Sequence, residues 1–198
     1  MFVFGLSVTL IFALAFQVAP NLVQSFAPGL LWVVILFTSI LGLNRIFSLE
    51  RDEHALWSWV AAPVDRGTVY IAKVISVLIF VLLAEILFIV PFFIFLNLST
   101  QFSFIQFTLI LFMGTSAIVS VGCLISGITL QAEIRDVLIP ILLFPVASPV
   151  AIAATKCTRF LFDQNPMIEW NFWLLILASF FVIFAVFGYL IFNQIVEE

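Results

Sequence analysis

Charged side chains are scarce in this sequence. Seven Lys and Arg and eleven Asp and Glu make up 9% of its 198 residues, whereas a soluble domain carries about a quarter. Hydrophobic residues account for 65% of the chain, and the mean hydropathy is +1.32. One protein core cannot bury so much apolar surface. The composition therefore predicts an integral membrane protein whose solvent is the lipid bilayer.

The sequence also lacks the residues on which several classes of function depend. The net charge is −4 and there is no basic stripe, so nucleic-acid binding has no electrostatic basis. One histidine (His54) and two distant cysteines (Cys123 and Cys157) provide no metal-binding spacing and predict no disulfide. No Walker-type phosphate loop and no grouped nucleophile and base occur. We therefore expect no enzyme active centre, no metal site and no directly bound cofactor.

Long apolar runs separate the few charges. Residues 1–44 contain no charged side chain, and Pro20, Asn21, Pro28 and Gly29 predict a loop within them. We interpret residues 1–19 as a retained span, because a signal peptide would show a basic start and a small-residue exit. The prediction is one all-α transmembrane domain over residues 1–198. Its six helices are placed at residues 1–19, 27–47, 74–96, 104–130, 137–155 and 170–192, each close to the roughly 20 residues that cross a bilayer.

The basic residues predict the orientation. With the N-terminus inside, the inner connections hold five basic residues, Arg45, Arg51, Arg66, Lys73 and Arg135. The outer connections then hold only Lys156 and Arg159. Because positive charge is retained on the cytoplasmic side, both termini are expected in the cytoplasm. Three tryptophans then fall near the outer span ends, as an aromatic belt at the lipid headgroups would: Trp32, Trp170 and Trp173.

The inner segment between the second and third spans carries seven of the 18 charged residues. Its residues 51–60 have the pattern of a short amphipathic helix that ends before Pro63. Such a helix can lie against lipid headgroups, which periodicity alone favours, or it can couple the membrane domain to a soluble partner. In the second interpretation the docking residues are Glu50, Asp52, Glu53, Leu56, Trp59 and Pro63.

Glu85 is the ionisable residue that lies well inside a predicted span. It follows Lys73 by 12 residues, about 18 Å along a helix and near the middle of the bilayer. Apart from Arg45, at the inner end of the second span, no Lys, Arg or His lies in another predicted span to pair with it. We expect it to face a polar cavity, a partner chain or a hydroxyl, or to stay protonated. A functional role and a structural hydrogen bond both fit.

The fourth and fifth predicted spans contain residues that shape helices. Pro140, Pro145 and Pro149 interrupt the hydrogen-bond ladder of the fifth span, which predicts a kinked or broken helix. This is either a packing kink or a hinge or re-entrant turn beside a transport path. Three glycines of the fourth span predict close helix packing: Gly114, Gly122 and Gly127.

Several short motifs occur in an order that is similar to a known family. Ala27-Pro-Gly-Leu-Leu-Trp32, followed by Leu43-Asn-Arg-Ile-Phe47, resembles the second span of the CcmB family, the membrane permease of the cytochrome c maturation ABC transporter. The resemblance continues over residues 27–154 through an acidic segment, a proline and an Ala-Lys pair. The matching positions are Glu50 to Glu53, Leu56, Ala62-Pro63, Val69-Tyr70, Ala72-Lys73, Gly114-Thr115 and the span Leu138 to Ala154.

Two departures from the family pattern affect what can be expected. Family members usually begin with a basic amphipathic segment, whereas this sequence begins directly at Met1-Phe-Val-Phe4, so we expect a shortened N-terminus. His54 stands where the family pattern has a glycine.

The resemblance implies an ABC-2-type permease in the bacterial inner membrane. Its ATPase is a separate subunit, and a haem-handling membrane subunit delivers haem to a periplasmic haem chaperone. Haem is then a cargo of the complex. Because no outer histidine is present as an axial ligand, we expect this subunit to transmit force more than to bind haem. An ABC-2 permease for a lipid, polysaccharide or drug and a non-transporting assembly scaffold are the alternatives.

Overall fold

The protein is helical throughout the part of the chain that the structure describes. The computed structural model describes residues 2–15, 20–52, 66–98, 101–129, 132 and 134–195. Six α-helices occupy these ranges: α1 (Phe2–Ala15), α2 (Pro20–Asp52), α3 (Arg66–Phe95), α4 (Phe104–Ile128), α5 (Arg135–Phe162) and α6 (Met167–Ile195). The predicted all-α fold class is confirmed.

Five of these helices are long and apolar enough to cross a membrane. Their apolar stretches are Val23–Phe47, Gly67–Phe95, Phe104–Ile128, Val137–Phe162 and Met167–Phe192, and they overlap the second to sixth predicted spans. α1 has 14 residues, about 21 Å of helix, which is shorter than the roughly 30 Å of hydrocarbon. Residues 16–19 of the first predicted span lie outside the described residues. The helices are those of a multi-pass membrane protein.

The loop predicted around residues 20–29 is wrong. Pro20 opens α2 and Pro28 lies inside it. A proline at the first helical position removes only an N–H that has no helical partner. Inside a membrane helix, a proline is tolerated where neighbouring helices re-satisfy or shield the freed backbone, and Pro28 is buried against its neighbours.

Two further helix boundaries differ from the predictions. α3 begins at Arg66 and not near residue 74, so Lys73 is part of a helix. Its side chain is buried, and its Nζ lies 4.5 Å from the centroid of the Phe47 ring. A cation over an aromatic face is an attractive arrangement that shields the charge from lipid. α5 continues to Phe162, which places Lys156 and Arg159 on a helix.

The three prolines of α5 do not break it. The helix runs without interruption through Pro140, Pro145 and Pro149, so the broken-helix interpretation is wrong. Pro149 has no N–H for the carbonyl of Pro145, four residues earlier. The hydroxyl of Ser148 donates to that carbonyl oxygen at 2.9 Å and replaces the missing bond. A hinge at these prolines stays a prediction.

α4 is the central helix of the bundle. Every residue from Gly114 to Gly127 is buried, whereas only 11% of the most apolar part of α6 is buried. The close packing predicted at the α4 glycines is confirmed. Trp32 packs on Gly114, Leu43 on Gly122, and Phe192 on Gly127, so that a Cβ at any of the three would collide with the facing side chain.

The predicted aromatic belt is wrong for two of its three tryptophans. Trp32 and Trp170 are 1% and 0% exposed, inside the protein, and only Trp173 is half-buried. The prediction failed because an indole at a helix end suits a headgroup layer and a helix interface equally well.

Candidate functional site

Glu85 lies between helices near the middle of the bilayer. It stands ten residues, about 15 Å, before the end of α3 at Phe95. Its side chain is 3% exposed. The hydroxyl of Thr115 on α4 donates to Glu85 Oε1 at 2.6 Å. Of the surroundings predicted for this carboxyl, the structure therefore places a hydroxyl beside it, and this hydrogen bond joins α3 to α4.

A second contact extends this connection to two more helices. Gly114, next to Thr115, forms the surface on which the six-membered ring of Trp32 rests. Trp32 Nε1 donates to Thr158 Oγ1 at 2.9 Å, and Thr158 in turn donates to the carbonyl oxygen of Ala154 at 2.9 Å. We call Glu85, Thr115, Gly114, Trp32 and Thr158 the transverse belt. It links α3, α4, α2 and α5 across the interior.

A tyrosine holds the same bundle closer to its predicted inner side. Tyr70 of α3 is completely buried, and its hydroxyl lies 3.0 Å from the carbonyl oxygens of both Ser120 and Phe184. One O–H can donate to either of them, so it joins α3 to α4 or α6. Its ring rests directly on Gly188 and contacts Phe192, with 5.6 Å between the ring centroids.

A broad apolar groove lies on the lipid side of Glu85. It has a volume of about 400 Å³ and lies between α3 and α4. Its described lining includes Glu85, Thr108 and five phenylalanines: Phe93, Phe102, Phe104, Phe107 and Phe112. None of the described lining residues is His, Cys, Met or Tyr, the usual axial ligands of haem iron. The groove can hold an apolar molecule by contact but offers haem iron no such ligand.

The residues singled out from the sequence do not form one cluster. Glu50 and Asp52 belong to the last turn of α2, while Glu53, Leu56, Trp59 and Pro63 lie outside the described residues. Glu85 is in the transverse belt. The prolines of α5 are spread along their helix.

Sequence reasoning missed two polar residues that connect helices. Thr158 falls in the predicted outer connection beside Lys156 and Arg159, and Tyr70 was noted only as part of a motif. A polar group inside a span requires a hydrogen-bond partner because lipid provides none. That requirement could have marked Tyr70 as a contact residue, but it could not have named Ser120 as its partner.

Comparison with known proteins gives consistent matches. The model of the family described as "CcmB protein" matches residues 1–195. Heme exporter protein B of Pseudomonas aeruginosa is 26% identical over 177 residues, which cover 89% of this chain and 79% of that protein. The Rhodobacter capsulatus protein of the same name is 26% identical over 146 residues, 73% and 66% of the two chains. That of Escherichia coli K12 is 33% identical over 73 residues, 37% and 33%. With a family match that spans nearly its whole length, this chain belongs to the CcmB family.

Proposed function

We propose that this chain is the membrane permease subunit of a haem-export ABC complex that serves c-type cytochrome maturation. The observation that carries the proposal is the family match over residues 1–195, together with five membrane-crossing helices. The matched relatives are named heme exporter protein B. The protein itself is a transport component and not an enzyme.

The energy for transport comes, in this proposal, from a separate ATPase subunit. The sequence has no Walker-type loop of its own. The other proposed partners are a haem-handling membrane subunit and a periplasmic haem chaperone, as the family resemblance implies. The chain lies in the bacterial inner membrane, and we place both termini in the cytoplasm.

The helix contacts support a role in force transmission. The proposed docking segment, residues 51–63, begins at the end of α2 and precedes α3 in the chain. Both helices contact the central α4. In α2, Trp32 packs on Gly114 and Leu43 packs on Gly122. In α3, Glu85 is hydrogen-bonded to Thr115 and Tyr70 to Ser120. A partner that pushes on this segment would therefore move two helices against a common third one. Packed interfaces of this kind switch between discrete arrangements.

Purification of the intact complex tests the proposed function. We expect a tagged chain, expressed with its neighbouring ABC genes, to retain an ATPase subunit and to show haem absorbance in the purified complex. ATPase without haem would favour a permease for a lipid, polysaccharide or drug. Normal cytochrome maturation with an ATPase that cannot hydrolyse ATP would favour the scaffold and would contradict driven export.

Cysteine labelling tests the proposed orientation. A Ser58→Cys variant should react with a membrane-permeant maleimide and resist an impermeant one added to intact cells, because five inner basic residues place this segment in the cytoplasm. Ser103→Cys is the matched control. Ser103 is exposed between α3 and α4, on the predicted outer side, and should react with both reagents. The native Cys123 and Cys157 are buried and give little background. The opposite labelling of the two sites would invert the topology.

A further inference from the structure

One oxygen of the Glu85 carboxyl has no hydrogen bond within the described part of the chain. Thr115 serves Oε1, while Oε2 is buried and unpartnered. A carboxyl oxygen left unpaired in apolar surroundings is strongly unfavourable, and buried polar groups in native proteins almost always have a partner. This oxygen therefore points to a ligand other than the described side chains.

A small gap lies beside this carboxyl, on the side away from the broad groove. Its described lining comes from α1, α2 and α3: Phe2, Gly5, Ile35, Thr38, Ala84, Glu85 and Phe88. The space open to the centre of a water molecule is about 10 Å³. That is about the volume that one water needs. The gap cannot accommodate a larger organic ligand.

The chemistry of the lining identifies the occupant. Two side chains of the gap carry hydrogen-bonding groups: the carboxyl of Glu85 and the hydroxyl of Thr38, which is 6% exposed. Ca²⁺ and Mg²⁺ require at least six oxygen ligands, and Zn²⁺ usually takes three or four protein ligands, more than these two side chains supply. A water molecule requires two to four polar partners and can both accept and donate. None of the described lining residues is Lys, Arg or His, so a neutral carboxyl is the form that fits these surroundings.

We propose that this gap binds one water molecule that bridges Glu85 Oε2 and the Thr38 hydroxyl. The neutral carboxyl keeps its proton and donates a hydrogen bond from its O–H to the water oxygen, and the water donates a hydrogen bond to the Thr38 hydroxyl oxygen. Glu85 is then bonded on both sides, to α4 through Thr115 and to α2 through the water. α2 is also the helix that leads into residues 51–63. The water therefore joins α2, the helix that precedes the docking segment, to the transverse belt near the middle of the membrane. A role of this connection in transport rests on the proposed function.

Gly5 of α1 keeps the gap open. A Cβ at this position would lie 2.9 Å from Phe88 Cδ2 and 3.2 Å from Val34 Cγ1. Contacts this short require a side chain to shift, and both the new methyl and the displaced ring would occupy the gap. Gly5→Ala should therefore expel the water without changing either hydrogen-bonding residue.

Infrared difference spectroscopy in H₂¹⁶O and H₂¹⁸O tests the bridge on the full chain in lipid nanodiscs. A bound water gives an O–H stretching band that shifts with the oxygen isotope. We expect the band in the parent and in Thr38→Ser, and its complete loss in Thr38→Val and Gly5→Ala. Glu85→Gln should remove the carboxyl C=O band and thereby identify it. That band should shift in frequency in Thr38→Val, because the carboxyl loses one hydrogen bond.

Thr108→Val is the matched control. Thr108 is exposed on α4 and donates to the carbonyl oxygen of Phe104 in its own helix, at 2.9 Å. Its loss should leave both bands unchanged. If the parent protein shows no isotope-sensitive band, the proposal is overturned, whether or not the variants fold. A band that survives both Thr38→Val and Gly5→Ala would also overturn it. The purification of ATPase and haem with the parent reports on the proposed function independently of either result.

Discussion

Gly114→Ala is expected to destabilise the protein by about 1–3 kcal/mol, the usual effect of inserting a methyl group into a filled core. The added Cβ would collide with the six-membered ring of Trp32. That ring cannot move aside easily, since its Nε1 is bonded to Thr158 at 2.9 Å and its side chain is 1% exposed. The measurement is denaturant unfolding of the detergent-solubilised chain, followed by far-ultraviolet circular dichroism.

Gly29→Ala on α2 is the matched control for this effect. A Cβ at Gly29 has Thr155 Cγ2, at 3.9 Å, as its nearest neighbour, an ordinary contact. Both substitutions gain the same helix propensity, about 0.5–1 kcal/mol, so the difference between the variants isolates the collision. Gly29→Ala should be neutral or slightly stabilising. Equal stability of the two variants would show that Trp32 does not occupy the surface of Gly114.

A double-mutant cycle identifies the colliding partner. The ring atoms that face Gly114 are Cζ2, Cζ3 and Cη2 of Trp32, and phenylalanine lacks this outer part of the indole. Trp32→Phe alone should destabilise the protein, because Thr158 loses its indole donor and a space opens. Gly114→Ala added to Trp32→Phe should then cost less than in the parent. The difference is the coupling free energy between the two residues, and a value of zero would place the strain elsewhere.

The sequence predicts the helices of this protein better than it predicts their ends. Apolar runs bounded by charges locate five membrane-crossing helices, because lipid requires each span to satisfy its own backbone. The predicted helix ends are wrong where a residue type is compatible with both a loop and a helix. Pro20 and Pro28 resemble turn residues, yet one opens α2 and the other lies within it. Lys73 resembles a loop residue, yet it is buried against Phe47.

The candidate site is only partly predictable for a related reason. A lone carboxyl in an apolar run predicts a hydroxyl, a cavity or a neighbouring chain, and the hydroxyl of Thr115 is found. Which hydroxyl it would be depends on the rotation of α4 about its axis. That rotation is set by the contacts of Gly114, Gly122 and Gly127 with side chains that are 65 to 82 residues distant in sequence. The glycines predict close packing, but the local pattern does not identify the side chains that pack on them.

Release of the ATPase subunit is the expected result of the Leu56→Ala, Trp59→Ala double variant. The sequence pattern predicts these side chains on the apolar side of the segment that ends at Pro63, and the segment lies outside the described residues beyond Asp52. An ATPase can act on the membrane domain only through an inner segment. Residues 51–63 are long enough to form a docking helix, whereas the predicted inner connection at residues 131–136 has the length of a turn. A buried tryptophan dominates many protein interfaces, and its truncation commonly costs about 2 kcal/mol or more.

The acidic residues of the segment should have a smaller effect of a different kind. Glu50, Asp52 and Glu53 stand before the apolar positions, where they can meet basic residues on the rim of a partner. Charge pairs at a rim mainly change the association rate and the salt dependence. Replacing all three with their amides should therefore weaken recovery of the ATPase at high salt and leave most of it at low salt.

Co-purification separates the docking interpretation from the membrane-surface one. If residues 51–60 dock on the ATPase, the double variant should insert and fold like the parent but lose the ATPase on purification. If the helix lies on lipid headgroups, the segment of the same variant should bind the membrane surface more weakly, and the variant should bind the ATPase as before. Ser58→Ala is the matched control, since it alters the segment off its apolar side and should keep the partner. Parental recovery of the ATPase with the double variant would refute the docking residues. It would leave α2 and α3 without a known site on which the partner could push.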